Sequence, residues 1–142
     1  MNSRAGQLQP AVEQAHDRSE DALAELAQQQ QLLAAGEHQL SELQRYRLEY
    51  ANAGDGSQTV GALLNRQGFV ERIDQAIVQQ TRDVTRLVRQ LERAREYWRQ
   101  AHAREKALSS VVQQHLERER QAEDRQEQSE VDERMQYRRP RR

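Results

Sequence analysis

Apolar residues recur in this 142-residue chain at alternating steps of three and four, and this period limits its fold more than any other feature. Eight of twelve positions are apolar in a first series and twelve of sixteen in a second. The series comprise positions 12, 15, 19, 22, 26, 29, 33, 36, 40, 43, 47 and 50, and then 63, 66, 70, 73, 77, 80, 84, 87, 91, 94, 98, 101, 105, 108, 112 and 115. A 3.5-residue period sustained this long predicts two long helices that bury a narrow heptad seam.

The composition also favours a narrow seam over a large core. Hydrophobic residues make up 35% of the chain and charged residues 32%, whereas typical soluble domains have roughly 45–50% and about 25%. The abundant Gln, Arg, Glu, Ala and Leu are good helix formers. Interior proline breaks a helix, and the two prolines, Pro10 and Pro140, lie near the chain ends. We therefore expect a single elongated all-α domain over residues 1–142.

The stretch AGDGSQTVGA, residues 53–62, separates the two series. A glycine there can end the first helix, and Ser57 or Thr59 can cap the second. Because the connection is short, the helices should form an antiparallel two-helix coiled-coil hairpin. The expected elements are helix one over about 10–52, a loop over about 53–60, helix two over about 60–135 and a disordered basic tail over 136–142.

The predicted helices differ in length. Folding the chain about residue 57 places Val12 opposite Ala101 and His102, so helix two beyond about residue 105 should have no partner within the chain. From Glu117 to Arg134, eight acidic residues stand against four arginines. A charged overhang with a short apolar stripe needs a partner or frays.

No catalytic or cofactor-binding motif is present in the sequence. The four histidines show no metal-binding spacing, and the glycines form no phosphate-binding loop. The chain has no cysteine, which excludes disulfides and cysteine-based zinc sites. We therefore expect neither enzymatic activity, nor a cofactor, nor a bound metal, nor a small-molecule substrate.

Charge and hydropathy bear on the remaining classes of partner. The net charge is −1, and the aromatic residues of the arginine-rich stretch 82–106 are one adjacent pair, Tyr97 and Trp98, rather than a platform interleaved with the arginines. Nucleic acid is therefore not an expected partner. That stretch carries eight basic and four acidic residues; it is either the solvated outer face of a coiled coil or a docking face for an acidic protein. No apolar run reaches membrane-spanning length, and we expect a cytoplasmic protein without membrane insertion.

Two tyrosines lie just before the glycine-rich stretch. Tyr46 and Tyr50 form a row with Leu43 at spacings of three and four, which puts the three side chains on one helix face. The period alone leaves two interpretations open. The rings either pack locally at the end of the hairpin or offer a surface to another protein.

Four stretches, in order and with matching spacing, resemble the FliJ family of flagellar type III export proteins. They are QLSELQRYRLEY, GFVERIDQAIVQQ, YWRQA and QEQSEVDERM, and together they extend over nearly the whole chain. The resemblance implies a hairpin similar to the central stalk of rotary ATPases. It also implies a cytoplasmic protein that is peripherally associated with the inner-membrane export apparatus. The expected partners are the hexameric export ATPase FliI, the export gate protein FlhA and export chaperones.

The resemblance also implies particular binding residues. In the family a patch near the loop binds FlhA, and its pattern falls here on Gln39, Leu43, Tyr46, Tyr50, Phe69, Ile73, Ala76 and Gln80. The expected overhang of helix two would bind the ATPase through Leu108, Val112 and Leu116. Two alternatives stay open at this point: the equivalent stalk of a virulence-type secretion system, and a structural coiled coil that forms homo-oligomers.

Overall fold

The structure is a computed structural model that describes residues 3–52 and 59–138, and within these ranges all regular structure is α-helical. Helix α1 is Arg4–Asn52 and helix α2 is Val60–Arg138. The predicted all-α hairpin, with a second helix longer than the first, is confirmed. The chain divides into two compact units, Asp21–Arg99 (the central unit) and Met1–Glu20 with Gln100–Arg142 (the terminal unit). The single-domain expectation stays a prediction.

Each helix begins at a hydroxyl cap. The Ser3 hydroxyl accepts a hydrogen bond from the Gly6 amide at 3.0 Å, and the Thr59 hydroxyl accepts one from the Ala62 amide at 3.2 Å. Such a cap satisfies one of the amides that the first helical turn leaves without a partner. Thr59, one of the two predicted caps, is therefore the observed one. The other, Ser57, lies outside the described residues, as does the predicted loop over 53–58 with its glycine cap.

Both outer helix boundaries differ from the prediction. Helix α1 begins at Arg4 rather than near residue 10, and Pro10 lies inside it. Proline removes one helical hydrogen bond, but the Ser3 cap and the burial of Ala5, which is 4% exposed, stabilise the preceding turns. Helix α2 continues to Arg138, so the first three residues of the predicted tail are helical. The rest of that tail lies outside the described residues.

The core of the central unit follows the predicted seam. Within this unit every seam position is buried or half-buried except Tyr50 and Leu63. The buried apolar side chains are those of Ala22, Leu26, Ile73 and Ala94. Contacts join Gly36 to Gln80 and Arg47 to Asp74, so residue numbers rise along one helix as they fall along the other. The two segments therefore run antiparallel, as predicted.

Gly36 marks a close approach of the two helices. A Cβ atom at this position would lie 3.0 Å from Leu87 Cδ1 and 3.6 Å from Val84 Cγ2. The Gln80 side-chain amide donates a hydrogen bond to the Gly36 carbonyl at 3.0 Å. The backbone of Gly36 is ordinary helix, so no special backbone conformation requires glycine there. Glycine occupies this seam position because the narrow gap between the helices leaves little room for a side chain.

In the terminal unit the buried side chains are small. They are Ala5, Ala15 and Ser19 of α1 and Val112 of α2. The imidazole of His16 contacts the carboxylate of Glu105 across the two helices, with 2.9 Å between Nδ1 and Oε2. Small side chains let the backbones of α1 and α2 approach, while polar side chains fill part of the seam.

The predicted start of the overhang is wrong. Since His16 faces Glu105, Val12 lies opposite about residue 109 and Arg4 opposite about residue 117, because antiparallel helices have the same rise per residue. Val112 is accordingly buried and Leu108 half-buried, so neither lies on an unpaired segment. The paired region is longer than predicted because α1 begins earlier and pairs in a different register.

The unpaired part of α2 begins later in the sequence. Leu116 is 52% exposed, Glu119 is the last residue of α2 that is not exposed, and every residue from 120 to 138 is exposed. Of the three predicted overhang residues, only Leu116 is thus available at the surface.

Candidate partner-binding groove

Five apolar side chains form an open groove in the central unit. Leu43, Tyr46 and Tyr50 come from α1, and Phe69 and Ile73 come from α2. The residues of each helix are three or four positions apart, which places them on one face. The groove has a volume of about 250 Å³, and its described lining contains no charged side chain.

An aromatic pair forms one wall of the groove. The ring centroids of Tyr50 and Phe69 are 4.4 Å apart, and the ring planes are inclined by 31°. Contact at this distance stabilises the pair beyond the burial of its surface. Tyr50 and Phe69 are nevertheless 40% and 38% exposed, and Tyr46 is 48% exposed. The rings therefore pack against each other and still present apolar surface to solvent.

Ile73 forms the floor of the groove, with only 7% of its surface exposed. A buried aliphatic side chain beneath three exposed rings makes the groove a shaped depression rather than a flat patch. Contiguous exposed apolar surface of this kind marks binding sites on soluble proteins. Both interpretations of the tyrosines, local packing and a binding surface, are therefore compatible with the structure. The inner sides of the rings pack, and the outer sides are open to solvent.

The structure brings five of the eight predicted patch residues together. Gln39 is exposed and Ala76 is half-buried, and neither lines the groove. The Gln80 side chain is directed to the Gly36 carbonyl, where it satisfies a backbone acceptor in the seam. The role of all eight residues in binding stays a prediction.

An ion pair that the sequence analysis missed lies beside the groove. The Arg47 guanidinium contacts both carboxylate oxygens of Asp74, through Nε to Oδ1 and through Nη2 to Oδ2, the latter at 3.4 Å. The hydrogen bond and the charge of Asp74 raise the pKa of Arg47. Arginine at a seam position was the available signal, since a half-buried cation there needs a carboxylate across the seam.

A polar cluster occupies the seam of the terminal unit. Glu105 is the central member, and its side chain is only 17% exposed. His16 lies 2.9 Å from one carboxylate oxygen of Glu105, and His102 Nδ1 lies 3.9 Å from the other. Ser19 also forms a hydrogen bond with this carboxylate. The polar cluster is therefore His16, Ser19, His102 and Glu105.

The cluster shifts the pKa values of His16 and Glu105. The hydrogen bond to Glu105 and the charge of Glu105 raise the pKa of His16, and the acidic neighbours Glu20 and Asp17 add to this effect. The hydrogen bond from His16 lowers the pKa of Glu105. This cluster could not be predicted from the sequence, because His16 and Glu105 are brought together only by the hairpin.

Two further findings concern the described residues as a whole. Among residues 3–52 and 59–138, no group of three or more His, Asp or Glu side chains is placed to hold a metal ion. Neither of the two described helices contains an apolar stretch of the length that a bilayer crossing requires.

Two antiparallel helices with an open apolar groove define a helical-hairpin protein. The family model described as flagellar FliJ protein matches residues 4–142. The chain therefore belongs to the FliJ family, whose members are associated with flagellar protein export. No curated protein and no solved structure gives a significant match.

Proposed function

We propose that this chain is the stalk component of the flagellar export apparatus, which binds the export ATPase FliI and the export gate protein FlhA. In this role it promotes assembly of the ATPase ring and helps to pass export chaperones on. The observation that carries the proposal is the FliJ family match over residues 4–142, essentially the whole chain. Two surfaces of the molecule support a division between the two partners.

The groove is the proposed FlhA-binding site. Its lining residues, Leu43, Tyr46, Tyr50, Phe69 and Ile73, are five positions on which the family's FlhA-binding pattern falls. The groove suits a short segment of a partner that inserts one or two apolar side chains. A small site of this kind gives a modest and reversible interface, as a transient handover requires.

The exposed end of α2 is the proposed FliI-binding segment. It begins at Leu116 and extends to Arg138, with Val131 and Met135 as further exposed apolar side chains. Beyond about residue 117, no described residue of α1 lies opposite this segment, and exposed apolar side chains on an unpaired helix can bind a partner. ATP hydrolysis would belong to FliI, and this chain would bias the assembly and conformations of the ring.

The groove assignment is tested by replacing both tyrosines. We expect Tyr46→Ala with Tyr50→Ala to weaken capture of the FlhA cytoplasmic region by at least about tenfold, since exposed aromatic anchors dominate binding. The melting temperature should change little, because Tyr46 and Tyr50 are already 48% and 40% exposed. Titration calorimetry measures the first quantity and circular dichroism the second.

Tyr97→Ala is the matched control. Tyr97 is an exposed tyrosine of the same unit, 57% accessible, and it does not line the groove. This variant should capture FlhA like the wild type. An unfolded double tyrosine variant would show that the rings belong to the core. Equal loss of FlhA capture in the double variant and in Tyr97→Ala would remove the groove from the proposal.

The FliI assignment is tested by truncation after Glu119. The removed residues that the structure describes, 120–138, are all exposed, so the shortened chain should fold and keep its capture of FlhA. Capture and stimulation of FliI should be lost. A truncated chain that still stimulates the ATPase would contradict the stalk model. Capture of FlhA by the same truncated chain tests the groove separately.

A further inference from the structure

A second concavity adjoins the groove in the central unit. It has a volume of about 460 Å³ and shares Tyr50 and Phe69 with the groove. The two concavities differ in chemistry, since the described lining of the groove is uncharged and that of the second contains two guanidinium groups and no carboxylate. We name the second concavity the basic pocket; its described lining is Tyr50, Ala62, Asn65, Arg66, Phe69 and Arg72.

Arg72 is held at the boundary between the two concavities. Its guanidinium carbon lies 5.6 Å from the centroid of the Phe69 ring, within the range of a cation–π contact. The three-residue spacing places Phe69 and Arg72 on the same face of α2. A guanidinium that packs on a ring keeps its N–H donors in its own plane, where they can bind a second group.

Arg72 differs in its partners from three other arginines of the central unit. Arg45, Arg47 and Arg86 each lie within ion-pairing distance of a carboxylate. Within residues 3–52 and 59–138, no carboxylate forms an ion pair with Arg72. The basic pocket therefore offers a positioned cation beside an aromatic wall.

We propose that the basic pocket binds a carboxylate of the same partner segment that fills the groove. The segment would place an apolar side chain in the groove and an Asp or Glu side chain on Arg72. Since Arg72 is close to the shared aromatic wall, the two side chains come from neighbouring residues of the partner. This inference rests on the proposed function, because the segment is taken to belong to FlhA; it adds the chemistry that FlhA must present.

The chemistry favours a carboxylate on a protein over a phosphate on a nucleic acid. Arginine binds carboxylates through two parallel N–H donors. A nucleic acid strand requires a line of cations along its backbone, whereas the lining next to this pocket is the uncharged groove. The net charge of −1 also opposes general attraction of polyanions.

The experiment is a titration of the full chain with the FlhA cytoplasmic region at low and high salt. We expect Arg72→Gln to weaken binding roughly three- to tenfold at low salt, as for an accessible charge pair. The salt dependence of binding should also decrease, because one ion pair is lost. Arg72→Lys keeps the charge and should retain the salt dependence, with an affinity between the other two.

Arg89→Gln is the matched control. Arg89 is an exposed arginine of α2 in the same unit and does not line either concavity. This variant makes the same change of net charge and should bind FlhA like the wild type. Melting curves of all variants should coincide. If Arg72→Gln is destabilised, the salt dependence of FlhA binding by Arg72→Lys is the readout instead.

The outcomes separate the inference from the proposed function. Equal FlhA binding by Arg72→Gln and Arg89→Gln, with the Tyr46/Tyr50 double variant still impaired, overturns the inference. The groove then remains the proposed FlhA-binding site. Displacement of FlhA by a single-stranded oligonucleotide at equal concentration would show phosphate recognition and also overturn it. A wild-type chain that does not bind FlhA at all removes the proposed function, and the inference falls with it.

Discussion

The groove and the polar cluster are two places where the heptad seam is not closed by aliphatic side chains, and they depart from ideal packing in opposite ways. In the groove, apolar side chains are left open, with Tyr46 48% exposed above a buried Ile73. In the polar cluster, the carboxylate of Glu105 occupies a seam position and contacts the imidazole of His16, which flanks the seam, at 2.9 Å.

The difference shows how one sequence pattern serves two purposes. Open apolar surface is thermodynamically unfavourable in water, at roughly 25 cal/mol per Å², and this cost supports the proposed binding of a partner in the groove. A polar seam position loses hydration on folding but recovers interactions from its neighbours, so it makes the pairing of the helices sensitive to protonation. We expect mutation to affect binding at the groove and pH dependence at the polar cluster.

The largest effect expected on stability comes from the floor of the groove. Ile73→Ala should lower the free energy of unfolding by about 2–4 kcal/mol, because it removes a buried aliphatic side chain and leaves a cavity. Tyr46 lines the same groove from α1, and half of its ring is already exposed. Tyr46→Ala should therefore lower the free energy of unfolding by less than about 1 kcal/mol. Urea denaturation followed by circular dichroism measures both values. Similar losses for the two variants would mean that the rings are core.

A smaller effect is expected where the helices touch most closely. Gly36→Leu should lower the free energy of unfolding by about 1–3 kcal/mol, because the new side chain must displace Leu87 and Val84. Gly68→Ala is the control, since a Cβ atom there has no neighbour within 4 Å among the described residues. This variant should gain up to about 1 kcal/mol from helix propensity. Equal behaviour of the two variants would contradict a tight seam at Gly36.

The smallest effect is the pH dependence of the polar cluster. The raised pKa of His16 means that its pairing stabilises the fold fully below its ordinary value of 6.5 and is lost as pH rises through the folded pKa. The lowered pKa of Glu105 means that its contribution is present above its ordinary value of 4.5 and is lost as pH falls through the folded pKa. The cluster therefore stabilises the chain most between these two values.

The variant His16→Gln should remove the loss of melting temperature above pH 6.5 that the cluster causes. His38→Gln is the matched control, because His38 is exposed on the same helix and takes no part in the cluster. Melting temperatures are compared for the wild type and both variants from pH 4 to pH 9. Parallel curves for all three chains would show that the contact between His16 and Glu105 has no thermodynamic weight.

Most of the fold could be predicted from the sequence, because the heptad period directly reports which face of each helix is buried. Nearly every predicted seam position is buried or half-buried. The predicted start of α1 near residue 10 is wrong, because Pro10 lies inside the helix and does not begin it. The signal was present, since Ser3 is a good cap and Ala5 and Leu8 continue the apolar period by steps of three and four.

The candidate site could be predicted only in part. The spacing of Leu43, Tyr46 and Tyr50 predicts one helix face, and the family resemblance pointed to Phe69 and Ile73. The sequence did not show that Gln80 bonds to Gly36, nor that Arg72 lies on Phe69. These contacts depend on side-chain directions across the seam, which no spacing along one helix can fix.

The sequence by itself determined that this chain is two long helices with a shared seam, and it placed Leu43, Tyr46 and Tyr50 on one helix face. The tertiary structure decided the register, and with it the contact of His16 with Glu105, the burial of Val112 and the point at which α2 is left unpaired. The physical reason is that a heptad pattern looks the same after one helix slides along the other by a repeat. Only the fit of particular atoms, such as Leu87 against Gly36, selects one alignment.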